Sequence, residues 1–310
     1  MLFRSRDALH ITLERNLEII RDSLAFLRPN IETLFYDAEH FFDGFRANPE
    51  FALATLGKAI EGGADCLVLC DTNGGNLPSV IREIMQAVKD RYPAAALGIH
   101  AHNDSELAVA NSLTAVELGA VQVQGTINGV GERCGNANLC SIIANLMLKM
   151  DIPCLPDASL RRLRETSRFV LELANVPPNR SQPFVGRSAF AHKGGIHVSA
   201  VEKNPLTYEH IDPALVGNKR RILVSDLSGR ATIKRKAEDY GLRLDKKDPV
   251  AMQVLDELKE LENQGYQYEA AEASFELLIN RAMGRSKRWF ELVSFRVIDQ
   301  KLKENEPPVS

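Results

Sequence analysis

Short apolar segments alternate with helical segments over the first half of the chain, and this alternation limits the possible folds more than any other feature of the sequence. Four segments have the length and composition of strands, at residues 34–36, 66–70, 97–102 and 121–127. Each is followed by a loop and then by a helical pattern of about 12 residues or more. This order predicts βαβ units, and therefore an α/β fold with a parallel sheet.

Polar residues gather immediately after each predicted strand. Barrels and open α/β sheets both keep their active sites at the carboxyl ends of parallel strands, so these residues mark the region where a site is expected. Four βα units do not close an eight-stranded barrel. The pattern therefore leaves two alternatives, a small open sheet or half of a (β/α)8 barrel.

The alternation stops after Pro153, and the rest of the chain is mostly helical in pattern. Residues 157–176 and 231–264 are predicted to be helical, as are residues 5–28 at the other end of the chain. Only residues 289–298 alternate like a strand in this later part. We therefore expect a second, largely helical region to follow the βα units.

Charge and composition exclude several classes of partner. The net charge is only -3, so we expect no binding to nucleic acid or to an anionic membrane surface. No apolar run approaches the ~18 residues that cross a bilayer. The N-terminus has no signal-peptide pattern, and the five cysteines show no disulfide or C-x-x-C spacing. These features predict a cytoplasmic protein with reduced cysteines.

The strongest chemical signal is the pair of histidines at the end of the third predicted strand. Residues i and i+2 of a strand point to the same side, so His100 and His102 should project together at the site edge. Neutral imidazole binds divalent transition metals, and the position of the pair at a strand-to-helix junction favours this interpretation over two histidines in a hydrogen-bond network. Asp71 or Thr72, after the preceding strand, could orient a ligand histidine.

Further candidates lie in loops. Residues 128–136 form a glycine-rich loop whose spacing is one residue longer than a dinucleotide-binding motif, and Asn136 at its end is a possible oxygen ligand to a cation. Glu39 follows the first strand and could be a ligand, a base or an ordinary surface residue. His197 and Tyr208 are structural residues or belong to a mobile lid, since glycines precede His197.

These motifs, taken in order, resemble the second half of the barrel in the family of isopropylmalate, homocitrate and citramalate synthases. The barrel motifs that carry the resemblance are residues 37–44, 69–75, 100–104 and 129–136. The later motifs, closest to the citramalate synthase branch, are residues 192–200, 207–210, 216–218 and 225–230. The family's opening strand, Asp-Thr-Thr-Leu-Arg-Asp-Gly, has no counterpart in this sequence.

The resemblance implies a domain organisation. Residues 1–155 would form the C-terminal half of a (β/α)8 TIM barrel, and residues 156–264 would form mostly helical lid and linker subdomains. Residues 265–310 would begin an allosteric or dimerisation domain that is truncated here. A central fragment of such an enzyme is therefore expected, associating as a homodimer.

The resemblance also implies a function. Such enzymes join acetyl-CoA to a 2-oxo acid in a Claisen-type condensation, and the citramalate branch uses pyruvate in branched-chain amino-acid biosynthesis. By the same resemblance His100, His102 and Asn136 would bind a divalent cation (Mg, Mn, Zn or Co), and Glu39, His197 and Tyr208 would be catalytic. The alternatives are a 2-isopropylmalate or homocitrate synthase and a non-catalytic fragment, and the isolated chain is expected to be inactive.

Overall fold

A computed structural model of the chain describes residues 10–224, 230–242, 249–268, 271–287 and 291–298. The described residues form two compact units. The first comprises the described residues within Met1–Ala191 and Glu209–Arg221, and the second comprises those within His192–Tyr208 and Ile222–Ser310. The boundaries predicted near residues 155 and 264 rest on the organisation of the family, whereas these units are defined by compactness. The predicted boundaries stay a prediction.

The first unit is built on a four-stranded parallel sheet. Its strands, in their order across the sheet, are β1 (Phe35–Ala38), β2 (Cys66–Asp71), β3 (Ala96–Ala101) and β4 (Gln122–Gln124). Each strand therefore lies beside its neighbour in the sequence, joined to it by a helical connection. The predicted α/β fold with a parallel sheet is confirmed.

Eight helices of the described residues belong to this unit. They are α1 (Leu13–Leu27), α2 (Phe41–Ala47), α3 (Pro49–Glu61), α4 (Pro78–Arg91), α5 (Ala108–Glu117), α6 (Leu139–Lys149), α7 (Asp157–Leu160) and α8 (Leu163–Leu173). The start of α3 shows how local sequence sets a boundary: the Asn48 side chain accepts a hydrogen bond from the Phe51 amide, with a proline at the first helical position.

Two predicted helices differ from the observed ones. The helix expected over residues 5–28 begins only at Leu13. Thr12 is its N-cap: the Thr12 backbone is extended, and its hydroxyl accepts a hydrogen bond from the Arg15 amide. Residues 1–9 lie outside the described part of the chain. The helix expected over residues 157–176 is divided into α7 and α8, since the chain leaves helical geometry at Arg162.

The two faces of the sheet differ in what they bury. Alternate residues face the helices and join a large apolar core, which includes Leu67, Leu69, Ile99, Phe41 and Phe42. The opposite face carries a small buried cluster consisting of Cys66, Val68 and Cys70. Because side chains alternate along a strand, this second face also presents the polar residues described below. All five cysteines are free, as predicted.

Strand β4 is shorter than the predicted segment 121–127. A Cβ atom at Gly125 would lie 2.5 Å from the carbonyl oxygen of Ala137, so only glycine permits this close approach. The chain then leaves the sheet, and Thr126 pairs with Asn138 instead. Gly125 thus brings the glycine-rich loop back beside the end of the sheet.

The second unit is mainly helical. Its helices are α9 (Gly195–Lys203), α10 (Arg230–Asp239), α11 (Pro249–Asn263) and α12 (Glu272–Ala282). Ile233, Val254, Leu258 and Phe275 are fully or almost fully buried in its core. A two-residue ladder of β5 (Ala191–His192) and β6 (Arg221–Ile222) lies at the sequence boundaries of the two units. The helical pattern predicted over residues 231–264 is confirmed for α10 and α11, and residues 243–248 of that range lie outside the described residues.

The strand predicted over residues 289–298 is wrong for the part that the structure describes. Residues 291–298 are neither helix nor strand, and apolar side chains such as Val293 and Phe295 are exposed. Alternation alone does not make a strand, because a strand also needs a hydrogen-bonding neighbour. Residues 225–229, within the motif at 225–230, lie outside the described residues. None of the described helices has the length and apolarity to cross a membrane.

Candidate active site

His100 is held by a hydrogen-bond chain that runs across the exposed end of the sheet. Its Nδ1 atom lies 2.8 Å from Oε1 of Gln124, whose Nε2 donates to Asp37 at 2.9 Å. A carboxylate only accepts, so the Gln124 amide must present its oxygen to the histidine. Nδ1 of His100 therefore carries the proton, and Nε2 keeps a lone pair that can bind a cation.

His102 lies just beyond the end of β3 and pairs with Asn136 in an isolated antiparallel bridge. The ring centroids of His100 and His102 are 5.2 Å apart, so the two imidazoles are neighbours as predicted. Nδ1 of His102 and Oδ1 of Asn136 are both buried, and neither has a hydrogen-bond partner among the described residues. Buried polar atoms normally have partners, so this pair fits the donor atoms of a cation site.

The glycine-rich loop positions Asn136. A Cβ atom at Gly131 would collide with Nδ2 of Asn136, so the absence of a side chain there makes room for the amide. Gly135 has φ of +91°, and a Cβ atom on it would meet the Gly129 carbonyl oxygen. The backbone N–H of Asn136 donates to the Gly129 carbonyl at 3.0 Å. The loop's glycines serve this close packing rather than a dinucleotide.

Glu39 follows β1 and is oriented by Thr72. The Thr72 hydroxyl donates to Oε2 of Glu39 at 3.0 Å and accepts from the His40 amide at 2.7 Å. The expectation that Thr72 could support a ligand histidine is therefore wrong, because its hydroxyl is engaged by these two groups. Glu39 keeps Oε1 for another partner at the carboxyl end of the sheet.

Asp71 is fully buried at the end of β2. Its Oδ1 accepts from the Asn76 side chain at 2.7 Å, so it does not orient a histidine through its carboxylate. Burial raises the pKa of the Asp71 carboxyl, and the hydrogen bonds from Asn76 oppose that rise. Its backbone carbonyl accepts from the His102 amide at 3.1 Å, so Asp71 does fix the main chain at the candidate ligand.

Arg133 connects the glycine-rich loop to the neighbouring loops through hydrogen bonds. Its guanidinium forms a two-point contact with Asp104, with Nε–Oδ2 2.8 Å and Nη2–Oδ1 3.0 Å, and it also donates to the Thr72 carbonyl at 2.8 Å. Hydrogen bonding to Arg133 lowers the pKa of the Asp104 carboxyl. One arginine thus joins the loops that follow β2, β3 and β4.

His197 and Tyr208 lie in the second unit and stack on each other, with ring centroids 4.2 Å apart and planes 29° apart. Tyr208 is 48% exposed. The resemblance brought these two residues together as catalytic candidates, and they are neighbours. Their approach to His100 and Glu39 stays a prediction.

The three candidate ligands fit a divalent cation in their chemistry. The two imidazoles are neighbours, and the main chains of His102 and Asn136 are bridged. Nδ1 of His102 and Oδ1 of Asn136 are buried without partners among the described residues. Among the described residues no group of three His, Cys, Asp or Glu could by itself hold a metal ion. A cation here would therefore use the amide of Asn136 and complete its coordination with water, substrate or further polypeptide.

Sequence reasoning missed three residues that support this site: Asp37, Gln124 and Arg133. Asp37 and Gln124 are 87 positions apart and meet only because the sheet curls to bring β1 and β4 together. Their position on the same sheet face as His100 was a usable signal, since residues in register share a face. Arg133 stood within the glycine-rich motif but had no predicted role.

Comparison with protein families agrees with the motifs. Residues 8–170 match the family model described as HMGL-like, and residues 184–266 match the model of the homocitrate synthase post-HMGL domain. The chain is 59% identical to an (R)-citramalate synthase of Geobacter sulfurreducens, over 99% of this chain and 58% of that protein. An (R)-citramalate synthase of Aquifex aeolicus is 54% identical over 98% of this chain and 58% of that protein.

A 2-isopropylmalate synthase of Sulfurisphaera tokodaii is more distant, 37% identical over 83% of this chain and 65% of that protein. The chain spans 58% of the length of the two citramalate synthases. The resemblance to the synthases that the motifs predicted is confirmed by these alignments, and the match to the first family model covers more than half of the chain. The chain belongs to the HMGL-like family.

Proposed function

We propose that this chain acts in a citramalate synthase, which condenses acetyl-CoA with pyruvate and water to give citramalate and coenzyme A. The observation that carries the proposal is a pair of buried atoms, Nδ1 of His102 and Oδ1 of Asn136, that have no hydrogen-bond partner in the described part of the chain. They lie beside His100, whose Nε2 is left with a lone pair. The choice of pyruvate is supported by the identity to citramalate synthases, which exceeds that to the isopropylmalate synthase by 22 points (59% against 37%).

His100, His102 and Asn136 would hold the divalent cation. Gln124 keeps the proton of His100 on Nδ1, and Gly131 leaves the space that the Asn136 amide occupies. When bound, a cation chelated by the 2-oxo acid would polarise the ketone as a Lewis acid.

Glu39 is the proposed base, or the residue that positions it. The reaction must remove a proton from the methyl group of the acetyl thioester, so that the methyl carbon can form a bond to the ketone carbon. Oε2 of Glu39 accepts from Thr72, which leaves Oε1 to receive that proton. Water then cleaves the thioester, and coenzyme A leaves as the thiol.

The finer architecture is part of the proposal. The four parallel strands would be the C-terminal half of a (β/α)8 barrel, with its other four strands supplied by further polypeptide. Residues 156–264 would form the helical lid and linker region, and residues 265–310 would begin an allosteric or dimerisation region. His197 and Tyr208 would complete the site from the lid, over the barrel of a second copy in a homodimer.

A reconstitution experiment tests the reaction. The chain would be co-expressed with the segment of the Geobacter sulfurreducens synthase that precedes the region aligned here, and thiol release would be followed with acetyl-CoA, Mn²⁺ and each 2-oxo acid. We expect turnover with pyruvate and much less with 2-oxoisovalerate or 2-oxoglutarate. The chain by itself should show no measurable turnover, because the family's arginine-bearing opening strand is absent from its sequence.

Two variants of the complex distinguish loss of the catalytic base from a non-specific loss of activity on substitution. Glu39→Gln should lower the rate by about 10²–10⁴, the usual contribution of a positioned base. Glu83→Gln is the matched control, since Glu83 is an exposed carboxylate on α4, and it should leave the rate unchanged. A complex that prefers another 2-oxo acid, or equal losses in both variants, would contradict the proposal.

A further inference from the structure

Five arginines line one cavity of about 440 Å³ in the first unit. They are Arg164 and Arg168 of α8, Arg180 and Arg187 of the following loop, and Arg221 of β6. None of the described residues that line this cavity is acidic. Positive charge is therefore concentrated here, although the chain as a whole carries a net charge of -3.

Within the described part of the chain, carboxylates do not neutralise these arginines. Among the described residues, no ion pair or side-chain hydrogen bond involves any of the five, whereas Arg162 and Arg220 nearby are both paired with glutamates. Nε of Arg164 is buried and has no partner within the described part of the chain. Burial and the charges of the other arginines together lower the pKa of Arg164. Several like charges held together in one cavity favour the binding of an anionic ligand.

The cavity is built on a rigid frame. Gly186 lies so close to the backbone at Arg180 and Gln182 that a Cβ atom would meet the Arg180 carbonyl at 2.5 Å. The Asn218 side chain donates to the carbonyls of Phe184 and Gly186, both at 2.9 Å. The loop that presents two of the arginines is thus held in place before any ligand binds, which lowers the cost of binding.

The floor of the cavity is joined to the glycine-rich loop of the candidate active site. Ser167 and Gln182 both line the cavity, and both donate to Oδ1 of Asn128, from distances of 2.5 Å and 3.1 Å. Asn128 is the first residue of that loop. A ligand in the cavity would therefore contact residues that are bonded directly to the loop carrying Asn136.

We propose that this five-arginine cavity binds a ligand that carries two or more phosphoryl groups. Guanidinium groups bind phosphate oxygens in two-point contacts, and a phosphoryl group carries up to two negative charges. Two phosphoryl groups supply up to four negative charges and three supply up to six, against five positive charges, whereas a dicarboxylate supplies only two. The apolar side chains of Leu171, Pro178 and Val185 line the same cavity and could contact an organic part of the ligand.

Two sources share this chemistry: the phosphorylated end of coenzyme A, which rests on the proposed function, and a free inorganic or organic polyphosphate. Calorimetry at low ionic strength with coenzyme A and with inorganic pyrophosphate distinguishes them. Tighter binding of coenzyme A would identify the coenzyme, and equal or tighter binding of pyrophosphate would identify a free polyphosphate. Either result supports the cavity. A chain that binds neither probe at millimolar concentration would overturn the proposal.

Variants assign the binding to the cavity. The double variant Arg168→Gln/Arg180→Gln should weaken binding about 100-fold, roughly ten-fold for each guanidinium group that is removed from the phosphoryl oxygens. Its unfolding midpoint without ligand should be unchanged or higher, because both residues are exposed and the substitution relieves repulsion. Arg82→Gln, an exposed arginine on α4 paired with Glu117, is the matched control and should bind normally. Equal weakening in both variants, or a lower unfolding midpoint of the double variant, would refute the assignment.

The variant His102→Ala keeps this test independent of the proposed reaction. His102 does not line the cavity, so its loss should leave pyrophosphate binding unchanged while metal binding is lost. If the reconstituted complex proves inactive but pyrophosphate still binds through these arginines, the proposed function is wrong and the proposed phosphate site in the cavity is still supported.

Discussion

The two glutamines of β4 provide a matched test of the hydrogen-bond chain that holds His100. Gln122 and Gln124 lie on the same strand and the same face of the sheet. Gln124 bridges His100 and Asp37, whereas Oε1 of Gln122 is buried without a hydrogen-bond partner among the described residues. Substitution by methionine keeps the length of the side chain and removes its polar end. The two variants should therefore behave in opposite ways.

Gln124→Met removes two hydrogen bonds. Each contributes about 0.5–1.5 kcal/mol, and the one to Asp37 lies at an exposed site, so we expect the free energy of unfolding to fall by about 1–2 kcal/mol. The loss also frees the tautomer and the ring orientation of His100, and removal of such a partner weakens metal binding by about 10–100-fold. Gln122→Met removes a buried oxygen without a partner, so stability should be unchanged or higher.

Urea unfolding followed by far-UV circular dichroism measures the first effect, and calorimetric titration with Mn²⁺ measures the second. The reasoning would be refuted if Gln124→Met bound Mn²⁺ as tightly as the wild type. It would also be refuted if Gln122→Met lost as much stability as Gln124→Met, because the loss would then reflect packing alone.

Three further predictions follow from the loops and edges around the site. Gly131→Ala should displace the Asn136 side-chain amide, weaken Mn²⁺ binding and lower the free energy of unfolding by about 1–3 kcal/mol. Gly75→Ala is the control, since no atom lies within 4 Å of its added Cβ. In the same titration and urea series it should change neither Mn²⁺ binding nor stability. Arg133 lowers the pKa of Asp104, so the stability that this contact contributes is present above the ordinary pKa of an aspartate and is lost as the pH falls through the lowered value. The difference in unfolding midpoint between wild type and Arg133→Gln should therefore be larger at pH 7 than at pH 2, and a constant difference would contradict the assignment. Finally, β1 and β4 each have one neighbour in the sheet, so the chain alone should associate through these edges in size-exclusion chromatography, and a monodisperse monomer would count against the half-barrel.

Local signals were sufficient to predict the sheet. The apolar runs, the turn residues between them and the helical spacing are all encoded within about 15 neighbouring residues, so the parallel α/β fold could be predicted. The two-residue spacing likewise predicted that His100 and His102 would be neighbours. Strand ends were less predictable, because Gly125 stops β4 through contact with Ala137, which is 12 positions further on.

Contacts between distant residues could not be predicted from the pattern. The bond between Gln124 and Asp37 depends on how far the four-stranded sheet curls, a property of the whole sheet. Thr72 was a candidate partner for a histidine, but the geometry of the strand ends directs its hydroxyl to Glu39. The arginines of the cavity come from three separate segments, and no local pattern marked them as a group.

If His100, His102 and Asn136 form a cation site, Mn²⁺ calorimetry on matched histidine variants will detect it. The wild type should show a single weak site, because only three protein ligands are present where such cations take about six. His102→Ala should abolish or strongly weaken this binding, whereas His10→Ala, which removes an exposed histidine that precedes α1, should titrate like the wild type. Identical titrations of the wild type and His102→Ala would contradict the account.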